Sequence, residues 1–268
     1  MLWLFWRTPT YHDFLWLRFF RGRELVLTDA GRIALEHAET IFTTGHELIT
    51  RFRQSEQNRQ RVLRIGAVGS LSKNLQFDFI QPILADSRIK VVVVAGVLDE
   101  LTSLLHEHKL DLVLSNVALR VDQHQDIFNH PLGELPVYLI GGKRLNLVST
   151  RFPDLLKDIP LFLPGKQSDV RVGFDILLAN AGIEPLIHAE VDDMALLRLL
   201  ALSGEGLALV SKIVVERDLP SNKIKFMQRV PGLAEKYYAL TVRKRFKNEW
   251  LGQIVEAFRE RLKELSLS

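Results

Sequence analysis

The sequence predicts an α/β protein built as two lobes and preceded by a long helix. Three observations carry that prediction. From Arg61 onward, β-branched apolar runs alternate with amphipathic segments, the order that yields parallel strands joined by helices. The alternation reaches a Gly pair at Gly141 and Gly142 and then begins again. Residues 28–57 show helical periodicity alone.

Thr28 is a natural N-cap for the long helix, and Asp29 and Glu36 favour its positive end. Ile33, Leu35, Ala38, Ile41, Phe42, Leu48, Ile49 and Phe52 recur on one stripe. The stripe is too narrow for a core helix, so it predicts pairing with a partner helix, from the same chain or another copy. "RVLRIGAV" then reads as a strand, "GSLSKN" as a Gly-containing turn and residues 73–85 as a helix. "IKVVVVAG" is apolar enough to predict a strand buried on both faces rather than an edge strand. "LDELTSLLHEHKL" reads as a helix with Leu98, Leu101, Leu104 and Leu105 inward, and "DLVLSN" as the next strand. Parallel pairing with right-handed crossovers follows from this order.

The second round opens on "ELPVYLIGG" (134–142), a strand crossing between lobes. The strand "IPLFLPG", the helix "SDVRVGFDILLANAGI" closed by Gly182, and the strand "LIHAEV" come next. The helix "DDMALLRLLALSG" opens on Asp192 and Asp193 and stops at Gly204. "EGLALVS" is a strand, "KIVVERDL" a short helix and "EKYYALTVRK" an apolar strand. Residues 248–265 form an amphipathic helix with Trp250, Leu251, Ile254, Phe258 and Leu262 on its stripe. The expected division is residues 1–20, a segment of different texture; 21–60, with the long helix; 61–140 and 236–268, the first lobe; and 141–235, the second.

The 268 residues suffice for proper cores, with 47% hydrophobic and 25% charged residues, as in ordinary globular proteins. The absence of cysteine excludes disulfides, zinc–thiolate sites, iron–sulfur clusters and a cysteine nucleophile. It suits a reducing compartment, and the expected location is cytoplasmic. A net charge of +3 is too mild to diagnose a nucleic-acid partner. Locally, Arg51, Arg53, Arg59, Arg61 and Arg64 face only Glu56. This run reads either as a solvated helix end and linker or as a surface facing DNA phosphates. The apolar start is broken by Arg7, Pro9, His12, Asp13 and Arg18, short of the roughly 20 apolar residues a membrane span needs. It also lacks a signal peptide's pattern.

A family resemblance rests on "GRELVLTDAGRIALEHAETIF". Gly22, Arg23, Leu25, Leu27, Thr28, Asp29, Ala30, Gly31 and Arg32 match a pattern of Gly-Arg step, strand ending Leu-Thr, and acidic-Ala-Gly-Arg helix start. This resembles the wing and linker helix of LysR-type transcriptional regulators. The likeness continues through "RVLRIGAVGSLSKNL", "KLDLVLSN", "IPLFLPG" and "SGEGLALVSKIVVE", covering about residues 21–265. "VAGVLDELTSLLHEHKLDLVLS" and "LFLPG" look closest to the sub-group that regulates sodium/proton antiporters. The resemblance implies a two-lobed effector domain like type 2 periplasmic binding proteins, with a small effector in the cleft and no cofactor. It implies promoter DNA as a partner, and self-association as dimer or tetramer through the long helix. Effector binding would shift the populations of two tetramer shapes.

In that family a winged helix-turn-helix precedes the wing strand, and its reading helix enters the major groove. Residues 1–20 do not match it. They concentrate Trp3, Phe5, Trp6, Tyr11, Phe14, Trp16, Phe19 and Phe20 around Pro9, with no Ser/Gln/Asn-rich helix. They read as foreign to the fold: a shifted frame, a false start codon or a truncated gene. The alternative is a genuine aromatic oligomerisation or membrane-surface segment. With only a remnant of the head, Arg21, Arg23 and Arg32 are expected to contact phosphate without reading bases. Binding to DNA would then be weak, salt-dependent and sequence-independent.

For the effector, Ser70, Leu71 and Ser72 follow the first strand and open a helix, where backbone N–H groups and hydroxyls suit a polar or anionic ligand. The plainer reading is that Ser70 or Ser72 caps the helix. The resemblance favours Ser70 as an effector contact. It also places Leu98 in the next effector loop, and Pro164, Gly165, Gly204 and Gly206 on the second lobe's side of the cleft. Many relatives carry Ser or Thr where Leu98 stands, which implies a less polar pocket. For the glycines, plain turn chemistry is the alternative. His106 and His108 are two apart and face different ways on a helix, so no metal is assigned. His124 and His130 belong to no ligand pattern, and no catalytic motif is present. A solute-binding protein of the same fold is the rival reading; it should show an export signal and no dimer helix.

Overall fold

Thr28 starts the long helix as its residue type predicts. Its Oγ1 accepts the Gly31 N–H at 3.1 Å and its carbonyl accepts the Arg32 N–H at 2.9 Å. The computed structural model describes residues 20–21, 26–53, 61–120, 126–145, 152–242 and 249–267. The chain forms two compact units, Met1–Arg59 and Gln60–Ser268.

In the first unit, β1 (Phe20–Arg21) and β2 (Val26–Leu27) pair antiparallel, with Phe20 opposite Leu27. Helix α1 (Asp29–Arg53) follows. It covers the predicted 28–57 as far as Arg53; residues 54–57 lie outside the described residues. Ile33, Leu35, Ile41 and Phe42 are exposed, Phe42 at 77%. Ala38 is half-buried. Leu48, Ile49 and Phe52 lie on the same helix, and their side chains are outside the described residues.

The second unit is one eight-stranded mixed sheet with helices on both faces. It contains β3 (Arg61–Val68), α2 (Lys73–Leu84), β4 (Ile89–Gly96), α3 (Leu98–His106) and β5 (Leu112–Ser115). The long strand β6 (Ile127–Gly142) leads to β7 (Leu161–Leu163), α4 (Asp169–Asn180), β8 (Ile187–Glu190) and α5 (Met194–Ser203). Next come β9 (Leu207–Ser211), α6 (Lys212–Val215), the 3-10 turn Glu216–Ser221, the long strand β10 (Ile224–Val242) and α7 (Glu249–Leu267). The strand order is β4-β3-β5-β10-β6-β9-β7-β8. β4, β3 and β5 run parallel at one end and β9, β7 and β8 at the other. The antiparallel pair β6–β10 runs through both.

Three apolar clusters pack this sheet. In lobe I, Leu63, Ile65, Leu112 and Leu114 meet Leu75 and Phe79 of α2, Leu101 and Leu105 of α3, and Phe258 and Leu262 of α7. In lobe II, odd and even strand positions feed opposite faces. Leu161, Leu163, Leu207 and Leu209 pack under α4, while Phe162, Ala208 and Val210 pack against Met194, Leu197 and Ala201 of α5. Caps follow their residue types: Asp193 accepts the Ala195 and Leu196 N–H groups, and Gly204 closes α5 at φ +79°.

Two expectations need correction. "IKVVVVAG" is an edge strand, not a doubly buried one: among the described residues β4 pairs only with β3, and Val93 and Val94 are 41% and 36% exposed. The crossing strands are also longer than predicted. β6 begins at Ile127 rather than 134, and β10 at Ile224 rather than 235. Their proline and glycine residues fall where the β6–β10 register shifts, at Ile224/Phe226, Arg229/Ala234 and Tyr237/Tyr238, so the ladder bends instead of ending.

Candidate functional site

In open α/β sheets, ligands bind beyond the carboxyl ends of parallel strands. Ser70 lies just past β3, Asn116 just past β5, and Ser211 ends β9. Between them, β10 supplies Glu235 and Tyr237, two residues apart and so on the same side of the strand. A hydrogen-bonded chain joins all five. Ser70 Oγ donates to Asn116 Oδ1 at 3.2 Å, and Asn116 Nδ2 donates to Glu235 Oε1 at 3.2 Å. Tyr237 donates its hydroxyl to Glu235 Oε2 at 2.6 Å. That spends its only proton, so Ser211 Oγ donates to the Tyr237 oxygen, at 2.8 Å.

The relay is dry. Glu235 is 7% exposed, and Tyr237 and Ser211 are 1% exposed. Among the described residues no cation pairs with Glu235; neutral donors hold it. Burial, then the Glu235 charge, pushes the Tyr237 phenol well above its ordinary value, so it stays a proton donor. The arrangement joins the two lobes through side chains: Ser70 and Asn116 belong to the lobe I strand ends and Ser211 to lobe II. Asn74 adds a second tie, donating to the Ile213 and Val214 carbonyls at 2.9 and 3.0 Å.

On the lobe II side, the buried Arg171 of α4 fixes the loop after β7. It donates to the Pro164 carbonyl at 3.0 Å and pairs with Asp175 and Glu190 at 2.8 and 2.7 Å. Pro164 is buried. A Cβ on Gly165 would collide with the Asp192 carboxylate, which lies close over it.

The predicted effector residues therefore divide. Ser70 faces the relay. Ser72 caps α2, its Oγ accepting the Asn74 N–H at 3.2 Å. Leu71 is 1% exposed and turned into the lobe I core, which removes its side chain from any cleft. Leu98 is half-buried and packs on the same core. Gly206 and Gly204 stand at the other end of lobe II from Pro164. Gly206 precedes β9 level with Pro160, whereas Pro164 follows β7 four residues along a parallel neighbour, about 13 Å away at strand rise. Gly206 is required there because a Cβ would strike the Pro160 carbonyl and the Phe162 ring. In the first unit, Arg21 lies on β1, Arg23 lies outside the described residues, and Arg32 pairs with Asp29 at 2.9 Å on the surface.

The residues the sequence reading missed are Asn116, Ser211, Glu235, Tyr237 and Arg171. A signal existed for two of them: Glu235 and Tyr237 stand at strand spacing in an otherwise apolar run. Among the described residues, no group of three His, Asp or Glu side chains is placed to hold a metal ion.

A family model, the LysR substrate binding domain, matches residues 56–267. This chain belongs to that family. The chain is 21% identical to the transcriptional activator protein NhaR of Escherichia coli (strain K12) over 223 residues, covering 82% of this chain and 72% of NhaR. The full-length LysR-type regulator HypT of Salmonella typhimurium superposes with a TM-score of 0.56 at 17% identity, over 94% of this chain and 84% of that one. The cofactor-binding domain of the Cbl transcriptional regulator gives 0.59 at 15% identity, over 80% of this chain and 98% of that one. The Gln60–Ser268 unit thus has the type 2 periplasmic-binding-protein-like fold of LysR effector domains.

Proposed function

We propose that this chain is a cytoplasmic LysR-type regulator whose effector domain answers to a small molecule or ion held between its lobes. The observation that carries this reading is the hydrogen-bonded relay from Ser70 to Ser211. It places hydrogen-bonding groups of both lobes at the carboxyl ends of three strands, where a ligand would alter how the lobes meet. Ser70 is read as the lobe I side, with Leu98 of the next strand-end loop, and the Arg171-held Pro164 and Gly165 loop as the lobe II side. The exposed apolar face of α1, from Ile33 to Phe42, supports self-association as dimer or tetramer. Among the described residues, no helix is long and apolar enough to cross a membrane.

The DNA contact of residues 1–268 is inferred to be with phosphate. Arg21 lies on β1 and Arg32 on α1, with Arg23 between them in the sequence, while residues 1–20 contain no Ser, Gln or Asn. Fluorescence anisotropy of the full chain on the duplex upstream of its own reading frame, beside an unrelated duplex, tests this. Three phosphate contacts per chain predict equal binding to both and a loss of about 40-fold between roughly 50 and 200 mM salt. A preference for the upstream duplex overturns the phosphate-only reading, and no binding to either at low salt overturns the role in DNA binding.

A further inference from the structure

The end of lobe II away from the strand-end relay carries a second feature. The chain leaves β6 through a tight turn, in which the Leu145 N–H donates to the Gly142 carbonyl at 3.1 Å. Lys143 and Arg144 hold the turn's two central positions, and both are exposed. Two glycines press this turn onto the C-terminus of α5. A Cβ at Gly142 would meet the Ala201 carbonyl at 2.8 Å, and one at Gly204 would meet the Arg144 backbone N at 2.8 Å. Across the hollow, Asn222 at φ +51° ends the 3-10 turn and delivers the exposed Lys223. Lys143, Arg144 and Lys223 line one cavity of about 280 Å³ together with Leu202 and Ser203.

Three full positive charges from two separate elements thus share one small hollow. Among the described residues none of the three is hydrogen-bonded or ion-paired through its side chain. The last carbonyls of α5 provide partial compensation, but a helix C-terminus contributes only about half an elementary charge. Like charges held together on backbone this closely packed leave an uncompensated positive potential in a concavity.

We propose that this hollow is a binding site for a small, multiply charged oxyanion of the phosphate or diphosphate class. Lys143, Arg144 and Lys223 supply charge-assisted donors, and the backbone packing of the turn fixes where the Lys143 and Arg144 side chains start. The site is independent of the cleft between the lobes.

Titration calorimetry of the full chain with inorganic pyrophosphate, in low-salt buffer, tests the proposal. The expected result is saturable binding that weakens by about tenfold for each lysine lost in Lys143→Gln and Lys223→Gln. Both lysines are exposed, so the variants should keep the parent melting temperature. Unchanged binding in the double variant, or no saturable binding to the parent, overturns the proposal. A short duplex that binds through these lysines while pyrophosphate does not also overturns it, and assigns the hollow to a nucleic-acid backbone.

Discussion

Replacing Tyr237 by Phe deletes one oxygen from the centre of the relay and leaves the ring's packing in place. Two bonds go with it: the 2.6 Å donation to Glu235 and the 2.8 Å acceptance from Ser211. A hydrogen bond to a charged group contributes about 1.5–3 kcal/mol, and a buried hydroxyl left without its acceptor costs about 1–3 kcal/mol. Ser211 is 1% exposed, so water does not readily replace the lost partner. The expected loss is about 3 kcal/mol, or about 6–12 °C in Tm for a unit of about 200 residues. Urea melts of Tyr237→Phe, Glu235→Gln and the double variant separate the bond from general disturbance. In the Gln background the tyrosine donates to a neutral amide, so its removal should cost about 1–2 kcal/mol less. A Tyr237→Phe loss below about 0.5 kcal/mol, or additivity of the two substitutions within that margin, would refute the reasoning.

Two further predictions concern lobe I and lobe II in turn. His130 hydrogen-bonds Thr241 at 2.8 Å, and burial, then Arg259, holds its imidazole below the ordinary value. The unfolded chain therefore takes up this proton first as pH falls. The stabilising contribution is present above about pH 6.5 and is lost on descending through that pH toward the lowered value. Urea midpoints of His130→Asn should vary less than the parent's between about pH 7.5 and 5.5; parallel curves contradict the assignment. Gly206→Ala should destabilise by about 1–3 kcal/mol, because the added methyl meets a carbonyl fixed by the β7–β9 ladder. A thermal melt indistinguishable from the parent would show that Gly206 is not held by packing.

Much of the local order was legible in residue types. Thr28, Asp193 and Gly204 mark helix ends in the sequence and occupy those ends in the fold, and of Ser70 and Ser72 it is Ser72 that caps its helix. Periodicity located the helices because one apolar stripe per helix is enough to bury it. The edge position of β4 was not legible, since a valine run is the same whether or not a neighbour arrives on its far side. The length of β6 and β10 was hidden by Pro131, Gly133 and Gly232, which read as strand ends. In the sheet they fall at or beside register shifts, where a strand accommodates a missing donor or a positive φ.

The candidate site divides on the same line. By itself the sequence determined the family motif, the order of elements and the placement of Ser70 beyond the first strand of the sheet, because each is a matter of neighbouring residues. Tertiary structure alone decided that Ser70, Asn116, Ser211, Glu235 and Tyr237 form one hydrogen-bonded relay. It also decided that Gly206 stands at the opposite end of lobe II from Pro164, and that three basic side chains share one hollow. The physical reason is distance along the chain: a buried polar group is satisfied by whatever partner the fold brings to it, and these partners lie up to 119 positions apart.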